Sequence, residues 1–458
     1  MATKTTTRSA GYRCSECGWS AVKWVGRCSE CQAWGTVSEV GAVKVRTSAS
    51  SVIERPALRI GDVDASGADA QTTGVSEFDR VLGGGLVPGA VVLVAGEPGI
   101  GKSTLLLDVA ARAARADQTV LYVSGEESVA QVRMRAERIE AMAENLFLAA
   151  ETDLATVLGQ IAQVGPDLVV IDSVQTIASS EVEGSAGNVS QIREVAASLI
   201  QLAKARGISI LLVGHVTKDG SIAGPRVLEH LVDVVIQFEG DRHSRLRLVR
   251  AVKNRYGPTD EVGCFDLSDV GIVGLPDPSG LFLSSRDLIV PGTCVTVTLE
   301  GKRPMVTEVQ ALLAPTTAPS PRRTTSGLDG SRVAMILAVL EKRAGVPVRQ
   351  ADCYASTVGG IKLTEPASDL AIALAMASSV FERALPHGAV AMGEVGLAGE
   401  IRAVTGIPRR LAEAARLGFR KAVVPAGTLG SGPVPEQMLV IEVSDIHRAV
   451  SLMTQPVS

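Results

Sequence analysis

Apolar residues in this chain gather into short solid runs rather than alternating with polar ones. Residues 90–95 (AVVLVA), 119–124 (TVLYVS), 168–173 (LVVIDS) and 208–214 (ISILLVG) are apolar almost throughout. Runs of that length predict strands buried on both faces, as in a parallel sheet. Between them lie amphipathic stretches, with 105–114 reading as a helix. The alternation starts near Thr72 and predicts an α/β layer with helices on both sides of a parallel sheet. Upstream, residues 41–70 are polar and aperiodic and read as a linker. Downstream, 271–313 carries further strand-like runs, including 293–299 and 304–313. The Pro/Thr/Ser-rich stretch 314–326 reads as an exposed loop, and 331–343 as a helix. The expected division is a module at 1–40, the linker at 41–70, an α/β core at 71–270 and a second α/β domain at 271–458.

Composition narrows the class. A length of 458 residues fits two or three domains, and 46% hydrophobic residues suffice for packed cores. No run of apolar residues is long enough to predict a membrane span. The polar N-terminus lacks the apolar segment of a secretory signal, so a cytoplasmic location is expected. The net charge of −4 does not itself point to nucleic acid, but residues 1–60 carry nine Lys/Arg against four Glu. That basic segment on an acidic protein favours an anionic partner. Aromatic residues make up only 3%, which argues against extensive base-stacking platforms.

Chemistry concentrates first at Gly96-Glu97-Pro98-Gly99-Ile100-Gly101-Lys102-Ser103-Thr104. This matches G-x-x-x-x-G-K-[ST] at every fixed position and lies between a predicted strand and a predicted helix, the context that a phosphate loop needs. The glycines let successive N–H groups point at phosphate oxygens, and the helix N-terminus adds its positive end. ATP is therefore the expected ligand, with Lys102 reaching its β- and γ-phosphates and Ser103 ligating Mg²⁺. Asp172 ends an apolar run about seventy residues later, at the edge where ligands bind in such sheets, and is the expected partner of that Mg²⁺. Glu126 and Glu127 follow the strand 119–124, where a carboxylate can activate the water that attacks the γ-phosphate; the sequence does not choose between them. His215 ends the strand 208–214 and precedes a polar, Gly-rich segment, so it reads either as a sensor of the γ-phosphate or as a structural histidine.

Cys14, Cys17, Cys28 and Cys31 form two C-x2-C pairs ten residues apart. Each pair suits a knuckle aiming two thiolates at one tetrahedral Zn²⁺. The segment is too small to fold on its own apolar core, and four thiolates leave no open position, so the zinc is expected to be structural. Trp19, Trp24 and Trp34 lie in or beside this module and are expected around the metal site. Cys264, Cys294 and Cys353 are isolated and read as core residues.

The order of zinc module, phosphate loop, the stretch GHVTKDGSIAGPRVLEH (214–230) and Lys253-Asn254-Arg255-Tyr256-Gly257 resembles the RadA/Sms family of bacterial DNA repair proteins. The family pentapeptide is normally KNRFG, so Tyr256 adds one hydroxyl. The resemblance implies a RecA-like ATPase core in a homo-oligomeric, hexameric ring, with Lys253 and Arg255 reaching a neighbour's γ-phosphate. It implies that residues 179–189 and 218–226 face DNA, with Lys218 and Arg226 on its phosphates. It also implies a DNA-dependent ATPase and helicase acting on single-stranded and branched DNA with the RecA recombinase. Two alternatives stay open: a RecA-fold ATPase acting on a protein partner, and an ATP-driven protease or unfoldase. The last arises because 358–361, 365–370 and 393–402 resemble the proteolytic domain of Lon proteases. Laid over that pattern, the nucleophile falls on Ala367 and the lysine near Pro408, neither of which can do that chemistry. A peptidase-inactive domain is expected, with Arg402, Arg409, Arg410, Arg416, Arg420 and Lys421 as its basic surface.

Overall fold

The structure is a computed structural model and describes residues 11–39, 57–63, 67–215, 225–240, 245–283, 290–430 and 432–454. It falls into two compact units, Met1–Asp64 and Ala65–Ser458. The first holds a three-stranded antiparallel sheet of β1 (Tyr12–Cys14), β2 (Ser20–Ala21) and β3 (Val37–Glu39), in the order β2-β1-β3. Its core is Cys14, Cys28 and Val37 with Tyr12, Trp19 and Val25 packed against them.

The second unit begins with α1 (Ser76–Leu82) and a nine-stranded sheet. Its strands are β4 (Val91–Gly96), β5 (Val120–Ser124), β6 (Leu146–Ala150), β7 (Leu168–Asp172), β8 (Ser209–His215), β9 (Val234–Glu239), β10 (Leu246–Asn254), β11 (Val262–Ser268) and β12 (Gly271–Gly274). The order is β12-β11-β10-β9-β4-β8-β7-β5-β6. Helices α2 (Lys102–Arg115), α3 (Val129–Arg138), α4 (Leu154–Val164), α5 (Val189–Arg206) and the short α6 (Pro225–Glu229) connect it. The solid apolar runs are solid because both faces are covered. In β4, Val92 and Val94 join the core under α1 and α2, while Val91 and Leu93 join the core under α4 and α5. Helix boundaries follow local chemistry: Ser128 and Gln131 form a capping box on α3, and Asp153 caps α4, which Gly165 ends in the left-handed region.

The all-parallel expectation needs correction. Strands β9, β4, β8, β7, β5 and β6 are parallel, but β10, β11 and β12 extend the sheet as an antiparallel meander. In β10 (LRLVRAVKN), Arg247, Arg250 and Lys253 interrupt the apolar residues, and Val252 is exposed, as suits a sheet region less fully covered than the centre. Strand β12 lies in this sheet although it falls just past residue 270.

The remainder is a second α/β layer. Its strands are β13 (Thr293–Glu300), β14 (Arg303–Pro315), β15 (Arg323–Ser326), β16 (Ala351–Thr357), β17 (Ala389–Ala391), the hairpin β18 (Glu394–Val395) and β19 (Ile401–Arg402), β20 (Lys421–Pro425) and β21 (Leu439–Val443). Seven of them pair in the order β15-β16-β14-β13-β17-β20-β21. Helices α7 (Gly330–Arg343), α8 (Asp369–Phe381), α9 (Ile407–Arg416) and α10 (Ile446–Thr454) pack on it. Every residue of α8 from Asp369 to Ser378 is buried, so this helix runs through the core. Residues 314–326 are not wholly loop: β14 runs on to Pro315, and Arg323–Ser326 pairs in parallel with β16 as an edge strand. Two threonines give this short polar stretch its strand preference. No helix among the described residues is long and apolar enough to cross a membrane.

Candidate functional site

The phosphate-loop motif joins β4 to α2, at the C-terminal edge of the parallel strands. Gly99 and Gly101 have φ of 76° and 110°, which glycine adopts freely. At Gly96 a Cβ would lie 2.9 Å from Phe238 Cβ, so only glycine fits without displacement. The Lys102 side chain is buried, and its Nζ donates to the carbonyls of Gly96 at 2.8 Å and Glu97 at 2.9 Å. Burial lowers its pKa to about 8, against the upward pull of Asp172 and Glu126. The donor set fits a nucleotide triphosphate with Mg²⁺: a glycine cradle, a buried ammonium held on carbonyls it can leave, Ser103 in the first turn of α2, and Asp172 at the end of β7.

Asp172 is almost buried and accepts a 2.6 Å hydrogen bond from the Tyr122 hydroxyl. Burial, and then the Asp172 charge, push the Tyr122 pKa well up, so Tyr122 stays a donor. The Asp172–Ser173 peptide is cis. The adjacent glutamates have separate surroundings. Glu126 Oε1 accepts from Ser173 Oγ at 2.7 Å and lies 3.0 Å from His215 Nε2, while His215 Nδ1 lies 3.4 Å from Lys102 Nζ. Glu127 instead turns to an ion pair with Arg135 on α3. Lys102, His215, Glu126 and Ser173 thus form one connected chain between the loop and β7, and Gln175 steadies it by donating to the His215 carbonyl at 3.3 Å. Sequence reasoning missed Tyr122, Ser173 and Gln175. Only the position of Ser173 beside Asp172 hinted at a role.

Lys253 and Arg255 are placed elsewhere. Lys253 Nζ donates to the carbonyls of Glu229 and Val232, both at 2.8 Å, and Arg255 pairs with Asp233 at 3.2 Å. Burial and then the nearby Arg255 lower the Lys253 pKa. Asn254 Nδ2 donates to the Leu82 carbonyl, which fastens this segment to the end of α1. Of the expected DNA contacts, Lys218 and the Arg226 side chain lie outside the described residues. The segment 179–189 folds around the buried Gln191 amide, which bonds the backbone of Ser179, Val182 and Gly184.

In the first unit the four cysteine Sγ atoms lie within 4.8 Å of one another, with Cys14 to Cys31 at 3.7 Å and Cys17 to Cys28 at 3.5 Å. A Zn–S bond of about 2.3 Å in a tetrahedron places sulfurs about 3.8 Å apart, so this cluster fits zinc closely. All four thiols are free. Of the three tryptophans, Trp19 packs against the cysteine core; Trp24 and Trp34 are 63% and 74% exposed. The expectation that all three surround the metal therefore holds for Trp19 only.

In the second α/β layer Ala367 is buried, Pro408 opens α9, and the Ser368 hydroxyl donates back to the Glu365 carbonyl. Arg410 is not surface, as the sequence suggested. It is fully buried, its guanidinium bonded to both Glu365 oxygens at 2.5 and 2.8 Å and to the carbonyls of Val297 and Thr405. Acceptors so complete are what allow an arginine to sit in a core.

Comparison with known proteins adds to this geometry. Models of an AAA domain, a rubredoxin metal binding domain and subunit ChlI of Mg-chelatase match residues 54–221, 12–39 and 359–428. The chain is 55% identical over 454 residues to the DNA repair protein RadA of Mycolicibacterium smegmatis, covering 97% of each. It is 55% identical over 447 residues to that of Mycobacterium tuberculosis, covering 96% of this chain and 92% of the relative. It is 46% identical over 448 residues to that of Streptococcus pyogenes, covering 97% and 98%. Among solved structures, a KaiC-like protein of Pyrococcus horikoshii is 21% identical, with a TM-score of 0.38, over 46% of this chain and 100% of that one.

Proposed function

We propose a function from the premise that this chain belongs to the RadA family of DNA repair proteins: it is a DNA-dependent ATPase that works as a hexameric ring helicase. It loads on single-stranded DNA and drives branch migration and processing of recombination intermediates with the RecA recombinase, in the cytoplasm. The carrying observation is the connected chain Lys102–His215–Glu126–Ser173. It links the phosphate loop to a carboxylate suited to activate water and to the strand, β8, that leads into residues 216–224.

Lys102 exchanges the Gly96 and Glu97 carbonyls for phosphate oxygens, and Ser103 and Asp172 would hold Mg²⁺, whose charge would offset that of the phosphates. Glu126, oriented by Ser173 and His215, accepts the proton of the attacking water. His215 touches both Glu126 and Lys102, so a shift of either is felt at the end of β8; this is the sensor role. Lys253 and Arg255 serve the site of the neighbouring subunit, where a cation supplied in trans is worth about 10³–10⁵ in rate in comparable enzymes. Lys218 and Arg226 hold DNA phosphates without reading bases.

The domains we assign are the zinc module at 1–40, the linker at 41–70, the ATPase at 71–270, whose sheet β12 completes just past that boundary, and the Lon-protease-like domain in the remainder of 271–458. The last lacks a nucleophile at Ala367 and an amine at Pro408, and supports assembly rather than cleavage. The test compares ATP hydrolysis and forked-DNA unwinding in wild type, Lys102→Ala and Lys253→Ala. Wild type should hydrolyse faster with single-stranded DNA. Lys102→Ala should lose hydrolysis, while Lys253→Ala should bind ATP and DNA without turnover. An ATPase indifferent to DNA would favour a protein partner instead.

A further inference from the structure

Asp233 precedes β9 and is 3% exposed, yet three donors converge on its carboxylate. Oδ2 accepts from the Val91 N–H at 3.0 Å and from Lys204 Nζ at 2.6 Å; Oδ1 accepts from Arg255 at 3.2 Å. Lys204, in the last turn of α5, also meets the Tyr256 hydroxyl at 3.1 Å and stands 5.9 Å from the centre of that ring. The Arg255 N–H is bonded to the Asp233 carbonyl at 3.2 Å, so its backbone is anchored while its side chain remains 55% exposed. Two cations thus share one buried carboxylate. Lys204 has the shorter contact, and Arg255 the longer and more exposed one.

We infer that Asp233, Lys204 and Tyr256 form a holding site for Arg255, which keeps it in its own subunit between turnovers and replaces its charge when it leaves for a neighbour's nucleotide. This rests on the reading that Arg255 acts in trans. Stripping a buried carboxylate of its one cation would be costly, which would trap Arg255 in place. With Lys204 already on Oδ2, the carboxylate stays paired after Arg255 departs. The Tyr256 hydroxyl steadies Lys204 and so acts through it. Lys204 and Tyr256 are positioning residues.

The experiment uses the full-length protein with single-stranded DNA. Lys204→Ala should lower kcat for ATP about tenfold with KM unchanged, since the phosphate loop is untouched and the loss is that of one charged hydrogen bond. Lys204→Arg should restore most of it. Tyr256→Phe should cost about threefold, and nothing further in the Lys204→Ala background. Subunit mixing separates this role from structural damage. Lys204→Ala subunits keep a sound phosphate loop and Lys102→Ala subunits a freely released Arg255, so their mixture should exceed either alone. Normal turnover in Lys204→Ala overturns the holding site, as does a mixture with no gain while Arg255→Ala and Lys102→Ala subunits complement each other. If that last pair fails to complement, the trans reading itself falls, and the holding site with it.

Discussion

Lys102 is buried on the carbonyls of its own loop, with a pKa lowered to about 8 by burial. Phosphate binding needs the ammonium form, and phosphate charge raises the pKa of the complex again. Above pH 8 binding must therefore take up a proton, so nucleotide affinity should fall by up to about tenfold per pH unit. Below pH 8 Lys102 contributes no slope. Titrating a fluorescent ATP analogue across this range checks the effect, and Lys102→Arg, which does not titrate, should flatten it. The neighbouring glutamates make a second contrast. Glu126→Gln should retain ATP binding and lose about 10²–10⁴ in kcat, as expected for a general base. Glu127→Gln should lose an ion pair with Arg135 that is partly exposed, about 1 kcal/mol of stability at most, and keep turnover near wild type. The opposite ranking in single-turnover hydrolysis would exchange the two roles.

Between elements, side chains of the C-terminal layer enter the ATPase layer: Glu300 pairs with Arg250, Met305 packs with Leu246 and Cys264, and Arg303 reaches α1. Arg303, at the start of β14, pairs with the buried Glu77 of α1 and donates to the carbonyls of Val262, Leu275 and Pro276 at 3.0, 3.1 and 2.7 Å. Glu77 also accepts from the Cys264 N–H on β11 at 2.9 Å. Arg303→Met should leave that carboxylate with only the longer 3.6 Å contact to the half-exposed Arg80, at a cost of up to about 3–5 kcal/mol in denaturant unfolding, and adding Glu77→Gln should recover part of it. An additive double mutant would show that the two do not act as a pair. This contact also marks what local pattern cannot carry. Strands β4, β5, β7 and β8 and helix α2 were legible because solid apolar runs have few other uses in a soluble fold. The meander β10–β12 was not: the stretch LRLVRAVKN is too polar to show a covered strand, yet Arg247 is buried and donates to the Ile100 carbonyl. Arg410 was read as surface because its acceptors Val297 and Glu365 lie 113 and 45 residues away. Glu126 and Glu127 are chemically identical neighbours, and only the fold brings Ser173 and His215 to one of them.

At the scale of the molecule, two folded units use different sources of stability. The larger one rests on extensive apolar cores and on buried pairs such as Arg410–Glu365. Arg410→Met should therefore lower the melting temperature, and wild type should not cleave casein with ATP, since Ala367 offers no nucleophile. Among its described residues the zinc unit buries Cys14, Ala21, Cys28 and Val37, with Tyr12, Trp19 and Val25 partly buried beside the cysteines. So small a core cannot offset chain entropy, and metal ligation must supply the difference, about 10–16 kcal/mol in comparable peptides. All three tryptophans of the chain lie in this unit, so their fluorescence reports on it alone. Trp24 and Trp34 are already exposed, which leaves Trp19 as the reporter. In Cys28→Ala the bound zinc should fall from about one ion per chain to none, because three thiolates no longer close the tetrahedron. Trp19 emission should shift to longer wavelength as its packing against Cys14 and Cys28 is lost, while helical circular dichroism, which comes from the larger unit, keeps its amplitude. Unchanged zinc content with unchanged emission would mean that the cysteine cluster does not hold the unit together.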